Sequence, residues 1–348
     1  MNVPTPTLGL AEVEAARRRL VPGLRLTPCV FAPGLSRITG ARLWLKREDL
    51  QRTGSFKERG ARNALLCLTE AERRRGVVTA SAGNHALGLA FHGAQLGVDV
   101  TVVMPAHAPA VKVSRCRGLG ARVELHGENF EQAYARARQI SADRGAAFIH
   151  PFDDLAVIAG QGTMALELLE QVPLFDTLVV PVGGGGLLAG VATVVKALRP
   201  DVRVVAVEPE NAAGFLAACL SRRPARALLL PTVADGLAVA QVGANSFALA
   251  APLVDDVVTV SEAEIAAAVA CLAREAGAVV EGAGAVALAA VLAGKIGTSA
   301  VVVPVTGRNI DARVHEKIVV EAEERRGAPG LLRGWVARPG VMKRHWPK

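Results

Sequence analysis

The chain has 348 residues, of which 51% are hydrophobic and 21% are charged, and its net charge is +8. This length allows one large or two medium domains, and the composition excludes a disordered or low-complexity protein. Seven basic side chains lie between Arg325 and Lys348, a stretch without acidic residues, so the rest of the chain is nearly neutral. The excess charge therefore predicts a basic C-terminal tail, residues 326–348, and no nucleic-acid partner.

The cysteines and the apolar stretches give expectations about the cellular compartment. The five cysteines are scattered without a CxxC pair, which favours buried thiols in a reducing compartment over disulfides or a zinc site. The N-terminus has no apolar stretch after a basic start, so we expect no export signal and a cytoplasmic protein. Residues 276–294 are apolar but contain Glu281 and several glycines, which predicts a buried turn and a helix rather than a membrane span.

Short β-branched runs alternate with helical stretches along the chain. The predicted strands are residues 42–47, 76–80, 98–105, 121–127, 146–150, 177–183, 202–208, 256–260 and 300–305. Many are apolar at successive positions, as expected for strands covered on both faces. Residues 128–145 predict a helix on which Phe130, Ala133, Ala137 and Ile140 share one face. The alternation predicts an α/β protein with parallel sheets, and nine strands indicate two lobes with a cleft between them.

One lysine has an unusual setting. Lys57 follows a Gly-Ser turn and Phe56 in RTGSFKERGA, residues 52–61, where a helix is predicted to start. A surface lysine needs no such setting. An apolar neighbour such as Phe56 would lower the pKa of the amine, because the charged form loses its hydration. Such a lysine can form a Schiff base with an aldehyde and later act as a neutral base.

A second predicted strand runs into a polar loop that precedes a helix. The loop contains Ser81, Ala82, Gly83, Asn84 and His85. A hydroxyl, an amide and free N–H groups at a helix start suit a carboxylate ligand. In the other interpretation, Ser81 or Asn84 only caps the helix. His85 is either a general base or a hydrogen-bonded spacer.

Four successive glycines, Gly183 to Gly186, separate a predicted strand from a helix in VVPVGGGGLLAGVATVVKAL, residues 179–198. Glycines let the backbone approach a ligand, and a helix start binds anions, so this loop predicts a phosphate site. In a second interpretation, the four glycines form only a tight turn that packs the helix against the strand. In a third interpretation, Gly184, Gly186 and Ala189 match a dinucleotide fingerprint with Glu208 on the ribose, which indicates an NAD-dependent dehydrogenase.

A third strand runs into Thr306, whose hydroxyl is either structural or available to a ring nitrogen in the cleft. The predicted phosphate site, carboxylate site and lysine of lowered pKa together match the groups of one cofactor and its substrate. Pyridoxal phosphate carries one phosphate and one aldehyde, and it holds an amino acid whose carboxylate needs its own site. The residues therefore predict pyridoxal phosphate as the cofactor.

Several segments resemble the threonine dehydratase and serine racemase family of pyridoxal-phosphate enzymes, in the family's order and over roughly residues 22–325. They are KREDLQRTGSFKERGARNAL (46–65), TASAGNHALGLA (79–90), GARVELHGENFEQA (120–133), HPFDDLAVIAGQGTMALELLEQ (150–171), PVGGGGLLAG (181–190) and EGAGAVALA (281–289). The resemblance implies a two-lobed α/β fold of type II, with the cofactor in the cleft between the lobes. Residues 1–75 and 154–325 would form the large domain, residues 76–153 a small mobile domain, and two copies a dimer.

The resemblance also implies roles for individual residues. Lys57 would hold the cofactor as a Schiff base and remove the Cα proton of the substrate. Asn84 would hydrogen-bond the phenolic oxygen of the cofactor ring. Other cofactor contacts would come from Phe56, Gly183, Gly184, Gly185, Gly186, Leu187 and Thr306. The substrate carboxylate would lie against Ser81, Ala82, Gly83, Asn84 and His85. Thr306 stands where the family usually has a serine facing the pyridine nitrogen.

The implied reaction is the β-elimination of a hydroxy amino acid, L-threonine or L-serine, to a 2-oxo acid and ammonia. Family racemases have a serine base where this chain has Ala82, so racemisation is disfavoured. Family members that bind a cation have an acid where this chain has Gly214, so we expect no divalent metal. Arg308 stands where a small residue is common, and it is either a surface substitution or a residue that reaches the substrate side chain. The second option would point to an acidic substrate such as 3-hydroxyaspartate. Two other classes stay open: a non-catalytic partner protein that binds the cofactor, and an NAD-dependent dehydrogenase.

Overall fold

The structure is a computed structural model that describes residues 7–327. In this part of the chain the strands are β1 (Cys29–Phe31), β2 (Arg42–Arg47), β3 (Val77–Ala80), β4 (Val100–Met104), β5 (Arg122–Leu125), β6 (Ala147–Phe148), β7 (Thr177–Pro181), β8 (Arg203–Pro209), β9 (Asp256–Val260) and β10 (Ala300–Val305). The predicted tail, residues 326–348, lies outside the described residues except for the end of the last helix.

The α-helices connect these strands and cover the sheets. They are α1 (Leu10–Leu20), α2 (Pro33–Thr39), α3 (Lys57–Cys67), α4 (Glu70–Arg75), α5 (Asn84–Leu96), α6 (Ala110–Gly118), α7 (Phe130–Arg144), α8 (Leu155–Gln171), α9 (Gly186–Leu198), α10 (Gly214–Ser221), α11 (Ala244–Ala250), α12 (Glu262–Ala276), α13 (Gly282–Leu292) and α14 (Ala312–Gly327). Within residues 7–327, no helix combines the length and the apolar character that a membrane crossing requires.

The strands form two sheets. The larger has the order β1-β2-β10-β7-β8-β9, and the smaller has the order β5-β4-β3-β6. All neighbouring pairs are parallel except β1 and β2. Because parallel strands end at the same edge, the loops after β2, β7 and β10 meet at one edge of the larger sheet. This edge brings together three of the predicted site loops.

The predicted strands are all present, and their observed bounds agree within two residues at each end. The sequence does not predict the three-residue strand β1, because a segment this short carries no recognisable pattern. On α7, Ala133, Ala137 and Ile140 are buried, whereas Phe130 is 44% exposed and contacts Tyr134. Cys67 is also exposed at the end of α3, contrary to the expectation of buried thiols.

Successive strand residues of the larger sheet enter two different cores. Val301 and Val303 pack with α12 and α13 on one face, whereas Ala300 and Val302 pack with α8 and α9 on the other. Both faces are thus covered by helices, which explains why the strands are apolar at successive positions.

Helix α8 lies between α3 and α9 at very short backbone distances. A Cβ atom on Gly160 of α8 would lie 2.6 Å from the carbonyl oxygen of Arg59 on α3. A Cβ atom on Gly190 of α9 would lie 2.4 Å from the carbonyl oxygen of Ile158 on α8. The backbones of α3, α8 and α9 therefore touch directly, and larger residues would separate them.

A buried ion cluster fixes α3 to β2, to the turn after it and to α8. The Arg59 guanidinium donates to both carboxylate oxygens of Glu48, at 2.7 and 2.8 Å, and to both of Glu167, at 2.7 and 2.6 Å. Lys46 Nζ lies 2.6 Å from Glu167 Oε2. Arg59, Glu48 and Lys46 are all 0% exposed. Burial alone would raise the pKa of the Glu48 carboxyl, but the charge and hydrogen bonds of Arg59 hold it well below its usual value.

Candidate active site

The loops after β2 and β10 are held against each other by backbone hydrogen bonds. Phe56 N donates to the carbonyl oxygen of Thr306 at 3.0 Å, and Arg308 N donates to that of Gly54 at 2.9 Å. Ser55 and Gly307 form an antiparallel bridge between these two bonds. The segment that carries Lys57 is therefore fixed to the segment that carries Thr306.

Lys57 is the first residue of α3 and is partly buried. Burial lowers the pKa of its amine to about 8, although the nearby Glu281 carboxylate acts in the opposite direction. Its Nζ donates a hydrogen bond of 2.8 Å to the carbonyl oxygen of Pro151 and lies 5.3 Å from the ring centroid of Phe56. The amine thus has the depressed basicity that a Schiff-base lysine needs.

The glycine loop follows β7 and leads into α9, which begins at Gly186. Gly185 has φ +91°, a conformation that side chains rarely adopt, and Leu187 is buried in the first turn of the helix. The first N–H groups of α9 have no partner within the helix, so this helix start is suited to an anion. The first glycine of the loop, Gly183, is partly buried and lies against Leu237.

The segment Pro151–Phe152 lies between Lys57 and the glycine loop. Pro151 accepts the hydrogen bond of Lys57, and a Cβ atom on Gly184 would lie only 2.1 Å from the Phe152 ring. The Phe152 carbonyl accepts a hydrogen bond of 2.7 Å from Ser246 Oγ. The segment Pro151–Phe152 therefore contacts both the lysine and the glycine loop.

We predict that Gly184→Ala weakens the binding of pyridoxal phosphate by about tenfold or more, because overpacking costs about 1–3 kcal/mol and the displaced loop would carry that cost. Fluorescence titration of the cofactor-free protein measures this change. Gly297→Ala is the control, since a Cβ atom there meets nothing within 4 Å. Equal affinity of Gly184→Ala and the parent protein would show that the loop does not contact the cofactor.

The loop after β3 leaves a second helix start open. Gly83 is the N-cap of α5, with no side-chain capping bond, so the interpretation of Ser81 or Asn84 as a cap is wrong. Ser81 Oγ instead accepts a hydrogen bond of 3.2 Å from Gly83 N. Ser81, Ala82 and Gly83 are partly buried. This helix start offers N–H groups to a carboxylate.

His85 lies in the first turn of α5 and is 2% exposed. Burial lowers its pKa well below the usual value, and the charges of Lys57 and His150 lower it further. The imidazole is therefore neutral at physiological pH and adds no charge near Lys57.

Asn84 and Thr306 are tied to α13 by hydrogen bonds. Asn84 Nδ2 donates to Glu281 Oε1 at 2.6 Å, and Thr306 Oγ1 donates to the carbonyl oxygen of Ala283 at 3.3 Å. Asn84 Oδ1 accepts a bond of 2.7 Å from Asn309 Nδ2. Burial raises the pKa of the Glu281 carboxyl to about 7, against the effect of the Asn84 hydrogen bond.

Glu208 is not available to a ribose. Its two carboxylate oxygens accept hydrogen bonds of 2.7 and 2.8 Å from the N–H groups of Phe215 and Leu216, and the residue is 0% exposed. The carboxylate thus binds the start of α10. Across residues 7–327, no cluster of three or more His, Cys, Asp or Glu side chains is arranged to hold a metal ion.

Comparison with known proteins identifies the family. A family described as "Pyridoxal-phosphate dependent enzyme" matches residues 20–307. The chain belongs to this family. It is 43% identical to the L-threonine ammonia-lyase of Thermotoga maritima over 337 residues, which cover 96% of this chain and 84% of that protein.

Solved structures agree with this assignment. The processed form of threonine deaminase isoform 2 from Solanum lycopersicum superposes with a TM-score of 0.84 and 35% identity over 93% of each chain. Serine racemase from Dictyostelium discoideum has a TM-score of 0.83 and 36% identity over 88% of this chain and 100% of that chain. The predicted family, the α/β fold of type II and the pyridoxal phosphate cofactor are confirmed, and the dinucleotide interpretation of the glycine loop is wrong.

The described residues fit this cofactor. Lys57 offers an amine of lowered pKa to the aldehyde. The glycine loop offers a helix start to the phosphate, and Thr306 and Asn84 offer a hydroxyl and an amide to the ring. Sequence reasoning assigned no role to Phe152, Ser246, Glu281 or Asn309. For Phe152, Glu281 and Asn309 the clue available in the sequence was their position beside a predicted strand end or helix start, whereas Ser246 had no such clue.

Proposed function

We propose that the protein is an ammonia-lyase that converts L-threonine or L-serine into the corresponding 2-oxo acid and ammonia. The observation that carries this proposal is Lys57, an amine of pKa about 8 that is joined through Pro151–Phe152 to the glycine loop. The names of two relatives, an L-threonine ammonia-lyase that is 43% identical and a catabolic L-threonine dehydratase that is 39% identical, support the same substrate class. A homo-oligomer in the cytoplasm is part of the proposal.

Different residues of the chain have different roles in this reaction. Bound pyridoxal phosphate supplies an electron-withdrawing ring that acidifies the Cα proton of an attached amino acid. Once Lys57 is released from its Schiff base with the cofactor, its neutral Nζ would accept that Cα proton. The N–H groups of the glycine loop and the start of α9 hold the phosphate, and the loop from Ser81 to His85 holds the substrate carboxylate. Loss of the β-hydroxyl as water gives an enamine, which hydrolyses to the oxo acid and ammonia.

Ala82 argues against racemisation as the main activity. A racemase needs a second acid or base on the face of Cα opposite Lys57. Ala82 carries no proton, and its side chain packs against the apolar core beside α5. The proposal is therefore elimination with little formation of D-serine.

Ammonia release from a panel of L-threonine, L-serine and 3-hydroxyaspartate tests this proposal. We expect turnover of threonine and serine, with D-serine close to background. Preference for 3-hydroxyaspartate that disappears in Arg308→Gly would support the alternative acidic substrate. A bound yellow cofactor without ammonia from any substrate would show a non-catalytic binding protein.

The pH dependence of cofactor attachment tests the basicity of Lys57. Its amine reacts only when neutral, and its pKa is about 8 instead of 10.5. At pH 7 about a tenth of the amine would be neutral, compared with about one part in 3,000 for an ordinary lysine. We expect the rate of cofactor attachment to the cofactor-free protein to rise with pH and level off above pH 8 to 9. A rate that still climbs at pH 10 would contradict the lowered pKa.

We also propose that residues 76–153 form the small domain and that this domain closes over the substrate. Two polar contacts that join α6 to the rest of the chain support this idea. Lys112 Nζ lies 3.0 Å from Asp235 Oδ2, and Arg115 Nη2 donates to Asn309 Oδ1 at 2.9 Å. Both are largely exposed contacts of low expected strength, so they can break and re-form as the cleft opens.

A further inference from the structure

The amide of Asn84 has only one orientation that satisfies its neighbours. Its Oδ1 accepts from Asn309 Nδ2 at 2.7 Å, and its Nδ2 donates to Glu281 Oε1 at 2.6 Å. A rotated amide would place Nδ2 against the NH₂ group of Asn309, and Oδ1 against the Glu281 carboxylate. Two donors would then face each other at the Asn309 contact, and two acceptors would face each other at the Glu281 contact when its carboxyl is ionised.

The amide of Asn309 is itself fixed by two further groups. Its Nδ2 also donates to the carbonyl oxygen of Thr53 at 2.8 Å, a contact that involves no residue of the proposed small domain and sets the orientation even when the exposed bond of 2.9 Å from Arg115 Nη2 to Oδ1 breaks. Both N–H groups of Asn309 are thus used, one of them on Asn84. Asn309 cannot rotate to offer its oxygen to Asn84 without losing all three bonds.

Glu281 is fixed beside Asn84 by its own backbone. Glu281 N donates to the carbonyl oxygen of Gly307 at 3.2 Å, and the residue is 5% exposed. A Cβ atom on Gly307 would lie only 1.9 Å from Glu281 Oε1 and 3.3 Å from Asn84 Nδ2. The glycine therefore leaves the space in which the carboxylate meets the amide.

We propose that Glu281 and Asn309 are positioning residues that orient the Asn84 amide, so that its second Nδ2 hydrogen is offered to the cofactor. This inference depends on the proposed function and on the contact, implied by the family resemblance, of Asn84 with the phenolic oxygen of pyridoxal phosphate. Asn84 Nδ2 has two hydrogens, and Glu281 uses one. The remaining N–H is a donor and suits an anionic oxygen, whereas a rotated amide would offer an acceptor and repel it.

Four variants test the orientation, with pyridoxal phosphate as the probe for the cofactor-free protein. Asn309→Asp keeps the shape but cannot donate to Asn84, and Glu281→Met removes the acceptor. We expect both to raise the dissociation constant of the cofactor by about tenfold or more, as for a lost hydrogen bond to a charged group. Both should also change the ratio of the two absorption forms of the bound cofactor, which reports the charge on its phenolic oxygen. Glu281→Gln keeps an acceptor and should retain nearly the parent affinity and spectrum.

Asn84→Ala supplies the reference for complete loss of the donor. Circular dichroism and thermal melting would check that each variant is folded. If Glu281→Met does not fold, the isosteric Asn309→Asp tests the orientation by itself. The inference is overturned if Asn84→Ala loses affinity while folded Asn309→Asp and Glu281→Met match the parent protein in affinity and spectrum. The proposed function would then stand. If the parent protein itself attaches no pyridoxal phosphate to Lys57, both the function and the inference are wrong.

Discussion

Lys57→Ala is expected to reduce ammonia release from L-threonine by at least about 10³-fold, because both the covalent attachment and the proton acceptor are lost. Lys57→Arg should be equally inactive, since a guanidinium keeps its charge and forms no stable Schiff base. Lys317→Ala is the matched control, as this side chain is 76% exposed on α14 and should not affect turnover.

Mass spectrometry after borohydride reduction locates the attachment independently of turnover. The reduced cofactor should add its mass to the peptide that contains Lys57, and the visible absorption band should disappear on reduction. Attachment to any other side chain, or an active Lys57→Ala protein, would remove the basis for the proposed function.

Arg59→Met should lower the free energy of unfolding by about 3–5 kcal/mol, because it leaves two buried carboxylates, Glu48 and Glu167, with only Lys46 as a counter-ion. Urea denaturation of the cofactor-free protein measures the change through the transition midpoint. Arg59 holds the pKa of Glu48 low, so its contribution to stability is present at neutral pH and is lost as Glu48 takes up a proton in acid. The difference between the variant and the parent protein should therefore shrink as the pH falls below the usual carboxyl range.

Arg17→Met is the control for Arg59→Met. Arg17 pairs with Glu170, and the two side chains are 37% and 59% exposed. An exposed pair of this kind contributes about 0–1 kcal/mol. Similar losses in the two variants would show that burial of the ion cluster does not determine its contribution.

Much of the fold could be predicted because its signals are local. A strand covered on both faces shows a continuous apolar run, as at Ala300–Val305, and the loop that follows it shows a change to glycine and polar residues. Parallel strands end at one edge, so the same reasoning placed Lys57, the glycine loop and Thr306 together. The position of α14 and the three-residue strand β1 had no comparable local signal.

The contacts that orient the site could not be predicted from local pattern. Asn84 and Glu281 are 197 positions apart, and Asn84 and Asn309 are 225 apart, so no spacing rule connects them. The contact of Phe152 with Gly184 depends likewise on how two loops from different sheets meet. The burial of Glu208 against α10 explains the error of the dinucleotide interpretation, because a strand-end carboxylate can bind its own chain as well as a ribose.

The backbone contacts of α8 with α3 and α9 have a geometric consequence. Lys57 begins α3 and the glycine loop leads into α9, so α8 fixes the distance between the amine and the helix start that is proposed to bind the phosphate. The cofactor has its own fixed length from aldehyde to phosphate, and in the proposed site the three helices hold its two ends at a constant distance. Under this proposal, the motion that admits a substrate comes from the smaller sheet, because moving the three helices apart would release one end of the cofactor.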